Sequence, residues 1–352
     1  MKSVVVLVRT CSPDAKGSMA GYARMVEAAL RNTDDFEVRT CDLFPPRSRS
    51  MWHDHLWRLM NARRVLGCQS GDLFHLLDGS MLAFMPQHYL GRTVVTVHDL
   101  IPWLQLKRQL PGQPSVPAAW LIRRSVEDLR HAAGVTAVSE HTRQDVATWT
   151  GRRDVVVIPH AVRPLPVDAA GIDPLPQRFV LHIGNNACYK NRAGVINIFA
   201  RLADLPDLEL IMAGPPPSID LRRLAQDIPR VRFLTAVSDA QLGALYRRAA
   251  LFLFPSLYEG FGMPIAEAMA AGCPVVCSNV ASLPEVAGEA ALMAAPEDVD
   301  ALAGHCRALL TNHELRARMC DRGRKTAAAY TMERFGCDLM QCYRQVQNQV
   351  KQ

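Results

Sequence analysis

The chain has 352 residues, of which 49% are hydrophobic and 21% are charged. This composition is typical of a folded protein with a large core, and it excludes a disordered chain. The length is more than one ordinary domain needs and suits two domains. No run of about 18 apolar residues occurs, so we expect no membrane-spanning helix.

The net charge of +6 is unevenly distributed. Residues 1–165 contain 21 lysines and arginines against 15 aspartates and glutamates, whereas the remaining residues contain 19 of each. A basic half can bind nucleic acid, an anionic membrane or an acidic substrate. The sequence lacks the aromatic-interleaved motifs of nucleic-acid binders, so we expect no nucleic-acid partner. The ten cysteines form no CxxC pair or zinc spacing, which indicates reduced thiols in a cytoplasmic protein without a metal centre.

Short β-branched runs alternate with longer helical stretches, twice along the chain. In the first half the runs are Val4–Val8, Glu37–Thr40, Leu73–Leu77, Thr93–His98, Val135–Val138 and Val155–Ile158. In the second half they are Phe179–Ile183, Leu208–Met212, Val231–Leu234, Leu251–Phe254, Pro274–Cys277 and Ala291–Ala294. Continuous apolar strands joined by helices are typical of parallel sheets covered on both faces. The pattern therefore predicts two doubly wound α/β domains.

The proposed boundary between these domains is a change in composition. The segment 162–178 is rich in proline and glycine and lacks apolar periodicity, so it resembles a linker. We expect an N-terminal domain at 1–165, a C-terminal domain at 166–330 and a terminal helix at 331–352. The helix places apolar residues near helical spacing, and it can pack on either domain, including by crossing back to the first. These residues are Phe335, Leu339, Met340, Tyr343 and Val346.

The segment 254–279, FPSLYEGFGMPIAEAMAAGCPVVCSN, carries the strongest chemical signal. A glycine-rich turn follows a strand, and Pro264 then stands where a first helical turn accepts proline. This arrangement directs a helix N-terminus, with free N–H groups and a positive dipole end, at the carboxyl edge of a sheet. Such a site suits a diphosphate. Glu259 in the turn and Glu267 inside the helix can each accept hydrogen bonds from sugar hydroxyls.

The same segment resembles the Glu-x7-Glu motif of the retaining glycosyltransferases of family 4, also called group 1, which have the GT-B fold. Five more segments follow in the order of that family: VTVHDLIP (95–102), TAVSEHTRQDV (136–146), VVVIPHAV (155–162), FVLHIGNNACYKNRAGVINIFARL (179–202) and SLPEVAGEAAL (282–292). The resemblance covers essentially the whole chain. It implies a GT-B fold, in which two Rossmann-like doubly wound domains face a central cleft, and an enzyme that transfers a sugar from a nucleotide-sugar donor.

The resemblance also implies roles for the motif residues. Glu259 matches the first motif glutamate, which contacts hydroxyls of the transferred sugar together with the backbone of Gly260, Phe261 and Gly262. Glu267 matches the second, which holds the ribose of the nucleotide.

A second group of positions matches the diphosphate site of the family. Lys190 stands where the family places a cation on the diphosphate. An arginine often precedes that lysine, whereas this chain has Tyr189, and Arg192 is near enough in sequence to compensate. Gly184 follows a strand and suits a close backbone approach to the donor. The family therefore assigns Lys190, Arg192 and Gly184 to donor binding.

The first half contributes three further candidates by resemblance. His98 ends a strand and matches a histidine near the transferred sugar, which makes it catalytic together with Lys190 and Glu259. Ser139 ends the next strand and can approach phosphate or acceptor. Gly17 matches a glycine-rich loop, although GSMAGYAR lacks the commoner Gly-x-Gly form.

The family requires no metal and no cofactor besides the donor, because a lysine and a helix dipole neutralise the leaving diphosphate. It implies front-face attack, with the acceptor hydroxyl deprotonated by the departing phosphate. GDP-mannose is the expected donor, and a UDP- or dTDP-linked sugar is the alternative. The expected acceptor is a glycan or a lipid-linked glycan of surface polysaccharide or glycolipid synthesis. The competing functions are a nucleotide-sugar epimerase and a non-catalytic nucleotide-sugar-binding protein of the same fold.

One segment predicts a contact with a membrane. Residues 45–67, PPRSRSMWHDHLWRLMNARRVLG, place arginines among tryptophans and leucines. A helix from about Ser50 would align an apolar stripe of Trp52, Leu56, Leu59 and Met60, with the arginines around it. Tryptophan and arginine suit the headgroup region of an anionic bilayer, so residues 47–65 can dock peripherally at the inner face of the cell membrane. The alternative is an amphipathic helix whose stripe packs on the sheet.

Overall fold

The computed structural model describes residues 2–12, 15, 17–31, 33–46, 50–166 and 175–351, except for the side chains at 51 and 52. It contains two sheets of parallel strands. The strands are β1 (Ser3–Arg9), β2 (Phe36–Asp42), β3 (Leu73–Leu76), β4 (Thr93–Val97), β5 (Gly134–Ala137), β6 (Val155–Val157), β7 (Arg178–Ile183), β8 (Leu208–Ala213), β9 (Val231–Leu234), β10 (Leu251–Phe254), β11 (Val275–Ser278) and β12 (Ala291–Ala294). All the predicted strands are therefore confirmed.

Helices connect nearly all of these strands. They are α1 (Ser18–Leu30), α2 (Met51–Gly67), α3 (Gln87–Leu90), α4 (Ile101–Leu106), α5 (Val116–Asp128), α6 (Glu140–Thr150), α7 (Arg192–Ala200), α8 (Ile219–Gln226), α9 (Asp239–Arg248), α10 (Met263–Ala270), α11 (Leu283–Ala287), α12 (Val299–Thr311), α13 (His313–Ala327) and α14 (Met332–Val350). The strand order is β2-β1-β3-β4-β5-β6 in one sheet and β12-β11-β10-β7-β8-β9 in the other. Both sheets are doubly wound, as predicted.

The chain divides into two compact units. The first unit comprises Met1–Ala161 and Met332–Gln352, and the second comprises Val162–Thr331. In the first unit, α2, α5 and α6 contribute to one apolar core, while α1 and α14 contribute to another. Helices on both sides of a parallel sheet bury both of its faces, which explains why the central strands β3, β4 and β5 are buried throughout.

A buried polar network joins α14 to the sheet of the first unit. The Tyr343 hydroxyl lies 2.6 Å from His75 Nδ1, and His75 Nε2 lies 2.8 Å from the Thr96 hydroxyl. Thr96 also contacts the hydroxyls of Tyr22 at 2.9 Å and Thr136 at 2.8 Å. Burial lowers the pKa of His75 to about 3, so the ring is neutral. Because buried polar groups need partners, this network fixes the position of α14 on β3 and β4.

The second unit has a large apolar core around β7, β8 and β10. Val180, Leu210 and Leu253 are fully buried there, and α7 and α12 cover them with Ile196 and Leu309. The carboxyl ends of neighbouring parallel strands meet at one edge of the sheet. The loops that follow β7, β8 and β10 therefore come together at that edge, which is where ligands bind in open α/β sheets.

Replacing Phe335 by alanine should strongly destabilise the first unit. Phe335 is 2% exposed and packs edge-on against Tyr22, with ring centroids 5.9 Å apart. Loss of such a side chain costs about 3–5 kcal/mol, whereas Val350→Ala, at a position 42% exposed, should change the free energy of unfolding by less than about 0.5 kcal/mol. All five tryptophans belong to the first unit, so their fluorescence during urea unfolding measures this effect. Equal unfolding free energies for the two variants would contradict the packing described for α14.

Candidate functional site

The turn between β10 and α10 has the construction expected from its sequence. Gly262 precedes the helix at φ +96°, and a Cβ atom there would lie 2.7 Å from the side chain of Leu283. Pro264 occupies the first turn of α10, and Gly272 at φ +75° follows its end. Only glycine fits Gly262 without strain. The free N–H groups of α10 therefore begin directly after the turn that ends at Gly262, where they can bind an anion.

Lys190 and Glu259 form an ion pair at this edge of the second unit. Lys190 Nζ donates to both carboxylate oxygens of Glu259, at 2.7 and 2.9 Å. The two side chains are only 14% and 8% exposed. The ammonium group also lies 5.2 Å from the centre of the Phe254 ring. A pair this buried is poorly screened by solvent, so a ligand that binds here meets two strong charges held in a fixed position.

Asn191 fixes the loop that carries Lys190. It adopts a left-handed conformation at φ +50°, and its amide nitrogen donates to the Pro255 carbonyl at 3.0 Å. Its amide oxygen accepts a hydrogen bond from Gly194 N at the start of α7. The Leu257 N–H donates to the Tyr189 carbonyl at 2.7 Å, which joins the same two loops. Asn191 was not predicted from the sequence, although asparagine before a helix is a known capping signal.

Gly184 lies at the close approach of two loops. Its N–H donates to the Ala213 carbonyl at 3.1 Å, and its carbonyl faces Gly214. Gly214 has φ +153°, and a Cβ atom there would lie only 2.1 Å from the Gly184 oxygen. Any side chain at Gly214 would separate the loops after β7 and β8. Gly214, which the sequence analysis did not single out, therefore maintains the backbone surface that includes Gly184.

Arg192 lies beside these loops and is 5% exposed. Its Nη1 donates to Asn186 Oδ1 and to the Pro215 carbonyl, while the guanidinium lies 5.8 Å from the centre of the Phe233 ring. Its Nε and Nη2 are buried and have no hydrogen-bond partner among the described residues. Burial lowers the pKa of Arg192. In this arrangement the guanidinium holds the loops after β7 and β8 together.

Glu267 is oriented by a residue that no sequence pattern indicated. The Tyr246 hydroxyl on α9 donates to Glu267 Oε2 at 3.1 Å. Tyr246 is fully buried, and its ring packs edge-on against Phe252 with centroids 5.4 Å apart. Burial raises the pKa of Glu267 to about 7, against the opposing effects of Tyr246 and Arg163. The tyrosine therefore stabilises the carboxylate form and fixes one of its oxygens.

In the first unit, His98 follows β4 and is 9% exposed. Its Nε2–H donates to the Leu77 carbonyl at 2.8 Å, and its Nδ1 has no hydrogen-bond partner among the described residues. Tyr22 packs edge-on against the ring at 4.5 Å and also stacks on His160. Burial lowers the pKa of His98, which keeps the imidazole neutral. Nδ1 is then a lone-pair acceptor suited to a hydroxyl group.

Ser139 and Gly17 both begin helices. The Ser139 hydroxyl is fully buried, accepts the Thr142 N–H at 3.0 Å and donates to the Thr142 hydroxyl, so it caps α6. Gly17 precedes α1 at φ +129°. Asp99, next to His98, accepts the Ile101 N–H at 2.9 Å at the start of α4. These residues thus shape the carboxyl edge of the first sheet through their backbone and capping contacts.

The predicted docking segment folds as α2, capped by the Ser50 hydroxyl. Arg47 and Arg49 lie outside the described residues, as does the side chain of Trp52. The rest of the stripe faces solvent: Leu56, Leu59 and Met60 are 57%, 52% and 67% exposed. The alternative in which this stripe packs on the sheet is therefore wrong for these three residues.

The prediction also placed the arginines of this segment around the apolar stripe, and for Arg58 this is wrong. It is 6% exposed, and it donates inward to the carbonyls of Leu43 at 2.9 Å and Thr10 at 2.7 Å. It is therefore a structural residue and cannot belong to a docking surface. Ala62 and Leu66 accompany it on the packed face of α2.

Two absences hold for the part of the chain that the structure describes. No three histidine, cysteine, aspartate or glutamate residues are grouped to hold a metal ion. No helix there combines the length and apolar character that crossing a membrane requires.

Comparisons with known proteins place these features in a family. A model described as Glycosyltransferase Family 4 matches residues 6–164, and one described as Glycosyl transferases group 1 matches residues 170–326. The chain is 38% identical over 306 residues to O-antigen chain mannosyltransferase B of Escherichia coli, which covers 82% of this chain and 79% of that protein. It is 32% identical over 213 residues to an MMP alpha-(1->4)-mannosyltransferase of Mycolicibacterium hassiacum, over 56% of this chain and 50% of that protein.

A solved structure shows the same fold. Sucrose-phosphate synthase from Thermosynechococcus elongatus has a TM-score of 0.79 to this chain at 21% sequence identity, and the match covers 98% of this chain and 99% of that one. This likeness confirms the GT-B fold with its two parallel six-stranded sheets. Together with the family matches over both halves, it shows that the chain belongs to glycosyltransferase family 4, the group 1 glycosyl transferases, a family of retaining enzymes.

Proposed function

We propose that the protein transfers mannose from GDP-mannose, with retention of configuration, to a glycan or lipid-linked acceptor of surface polysaccharide or glycolipid synthesis. The observation that carries this proposal is the buried pair of Lys190 and Glu259 beside the first turn of α10, in a chain of this family. The identity of the sugar rests on the two relatives, which are both mannosyltransferases. The O-antigen relative also supports a polysaccharide acceptor.

The donor diphosphate binds at the start of α10 in this proposal. The N–H groups around Gly260, Phe261 and Gly262 and the positive end of the helix dipole attract its charge. Lys190 exchanges part of its contact with Glu259 for a phosphate oxygen as negative charge develops on the leaving group. Glu259 then accepts hydrogen bonds from hydroxyls of the mannose. The ion pair therefore keeps both side chains positioned before the donor arrives, which is the condition for electrostatic catalysis.

Glu267 holds the ribose hydroxyls through its carboxylate, which Tyr246 orients. Gly184 allows the backbone to approach the donor closely, while Arg192 supports that loop from behind. In the first unit, Nδ1 of neutral His98 accepts a hydrogen bond from a substrate hydroxyl. Ser139 and Gly17 contribute to substrate binding through the helix starts that they cap.

The chemistry needs no cofactor and no divalent metal in this proposal. Lys190 and α10 stabilise the departing diphosphate, whose phosphate oxygen accepts the proton of the attacking acceptor hydroxyl. Attack and departure occur on the same face of the sugar, so the configuration at the anomeric carbon is retained. We place this reaction in the cytoplasm, at the inner face of the cell membrane, where residues 47–65 provide a peripheral contact. Nucleic acid is not among the proposed partners.

Incubation with labelled nucleotide sugars tests the proposed function. GDP-mannose with a glycan acceptor should yield a mannosylated product and one GDP for each bond formed. The new linkage should have the α configuration of the donor, which NMR of the anomeric proton measures. A nucleotide-sugar epimerase would instead change the donor without acceptor, and a binding protein would release nothing. UDP- and dTDP-sugars serve as matched controls, and a product formed only from one of them would overturn the assignment of the donor.

Alanine at Glu259 and at Glu267 should produce different defects. Glu259→Ala should abolish most transfer without weakening the binding of free GDP, because in the donor complex Glu259 contacts the sugar and Lys190 contacts the diphosphate. Glu267→Ala should weaken GDP binding by about 1.5–3 kcal/mol, the cost of a lost hydrogen bond to a charged group. Calorimetric titration with GDP and a transfer assay separate these effects. Equal losses of GDP affinity in both variants would show that the two roles are wrongly assigned.

Lys190→Ala should reduce turnover far more than Arg192→Ala. Lys190 provides the cation for the leaving group, and removal of such a group costs about 100-fold to 1,000-fold in rate. Arg192→Ala removes a contact that supports a loop but takes no cation from the leaving group, so we expect a much smaller turnover loss at saturating donor. Both variants alter buried charges, and the comparison therefore uses temperatures at which circular dichroism shows them folded. A larger turnover loss in Arg192→Ala would mean that the phosphate cation lies there instead.

A further inference from the structure

We infer that Tyr22 and His160 are positioning residues for His98, which hold its imidazole in one orientation for the transfer reaction. The inference rests on the proposed function, in which Nδ1 of His98 accepts a hydrogen bond from a substrate hydroxyl, and it adds two residues to that part of the site. Tyr22 lies on α1, His98 follows β4 and His160 lies just after β6. The fold therefore brings together three side chains that are distant in the sequence.

The hydrogen bonds of His98 do not fix the direction of Nδ1 by themselves. The Nε2–H donates to the Leu77 carbonyl at 2.8 Å, while Nδ1 has no hydrogen-bond partner among the described residues. A ring that is held at one atom can pivot about that contact, and a pivot would move Nδ1 away from a substrate hydroxyl. A reacting group has to be held within about 0.5 Å and 10–20° of its productive position. His98 therefore needs further contacts.

Two neighbouring rings supply these contacts. The Tyr22 ring is nearly perpendicular to His98, with ring centroids 4.5 Å apart, and the His160 ring lies 5.4 Å from His98 at an angle of 68°. Tyr22 and His160 also stack on each other at 5.1 Å. Each ring thus contacts the other two, and all three are buried. Because buried side chains are closely packed, His98 cannot pivot unless Tyr22 or His160 moves as well.

Tyr22 is itself held from behind. Its hydroxyl lies 2.9 Å from the Thr96 hydroxyl on β4, the strand that His98 follows. Its ring packs edge-on against Phe335 of α14, with centroids 5.9 Å apart. The Thr96 hydroxyl also lies 2.8 Å from His75 Nε2, which belongs to the buried network of α14. Tyr22 therefore has a fixed position against which the His98 ring can rest.

The same packing keeps the His98 ring in the protonation state that the reaction needs. Burial lowers the pKa of His98 against the opposing charge of Asp78. Burial also lowers the pKa of His160 and of His75, so neither neighbouring imidazole carries a positive charge. A neutral His98 with its proton on Nε2 has a lone pair on Nδ1, which can accept a hydrogen bond from a hydroxyl.

A double-mutant cycle on the full chain tests the inference. Tyr22→Leu removes the ring and should lower kcat/KM for mannosyl transfer by about tenfold or more, because a small displacement of a reacting group is costly. In protein that already carries His98→Ala, the same change should lower it by less than about twofold, since the residue through which Tyr22 acts is gone. Tyr22→Phe, which keeps the ring, should restore most of the activity lost in Tyr22→Leu. His160→Ala should behave like Tyr22→Leu in both backgrounds.

The matched control is Leu66→Ala. Leu66 is fully buried in the other core of the first unit, so its loss should lower stability but leave kcat/KM unchanged where circular dichroism shows folded protein. The inference is overturned if the losses of Tyr22→Leu and His98→Ala multiply in the double variant, or if Leu66→Ala loses as much activity. If Tyr22→Leu does not fold, His160→Ala decides the question by the same criteria.

NMR of protein labelled with ¹³C in its 11 histidine rings tests the same contacts without a transfer assay. The His98 signal is the one that His98→Ala removes. Its pKa should lie below the ordinary value of about 6.5 in the wild type and rise toward that value in His160→Ala, because water then reaches the ring. An equal pKa in both proteins would overturn the inference. The expected rise in a protein that transfers no mannose would contradict the proposed function alone.

Discussion

The ion pair of Lys190 and Glu259 is the constraint on which the second unit's candidate site depends. Each charge is tolerable in a nearly buried position only because the other is present, and loss of either would leave an uncompensated charge. The pair therefore requires that the loops after β7 and β10 keep a fixed separation. Asn191 meets this requirement through its bond to the Pro255 carbonyl, and Gly262 meets it by allowing α10 to begin at once. The loop geometry and the charges thus stabilise each other.

The fold could be predicted because its signals are local. Each strand is a short apolar run, and the Gly-rich turn before Pro264 indicates a helix start whatever the rest of the chain does. The contact between Tyr246 and Glu267 had no such signal, because it depends on how α9 packs beside α10. The direction of the Arg192 side chain could not be predicted from the sequence either, because its partners Asn186 and Pro215 come from two separate loops. Residues that support a site from behind are found through tertiary contacts.

The helix α2 shows what the periodicity of apolar residues cannot predict. Leu56, Leu59 and Met60 of the predicted stripe are exposed together, but the spacing of apolar residues does not tell which side of a helix meets the sheet. On the inner side, the buried Arg58 guanidinium donates to the backbone carbonyls of Leu43 and Thr10. A long side chain can bury its stem while its charged end finds hydrogen bonds. The helix turns Leu56 and Leu59 outward and Leu66 inward, which a count of hydrophobic residues would not suggest.

The helix α14 belongs to the first unit, but its residues are synthesised after the whole of the second unit. During synthesis on a ribosome, β1 to β6 emerge first, yet Tyr22 and His75 lack Phe335 and Tyr343 until translation has passed residue 343. The second unit is continuous in sequence and can bury its own core in the meantime. One face of the first sheet therefore stays partly uncovered for the time needed to translate roughly 170 further residues, about 10–30 s at ordinary rates of translation. During this period the apolar surface that α14 later covers is available to a chaperone.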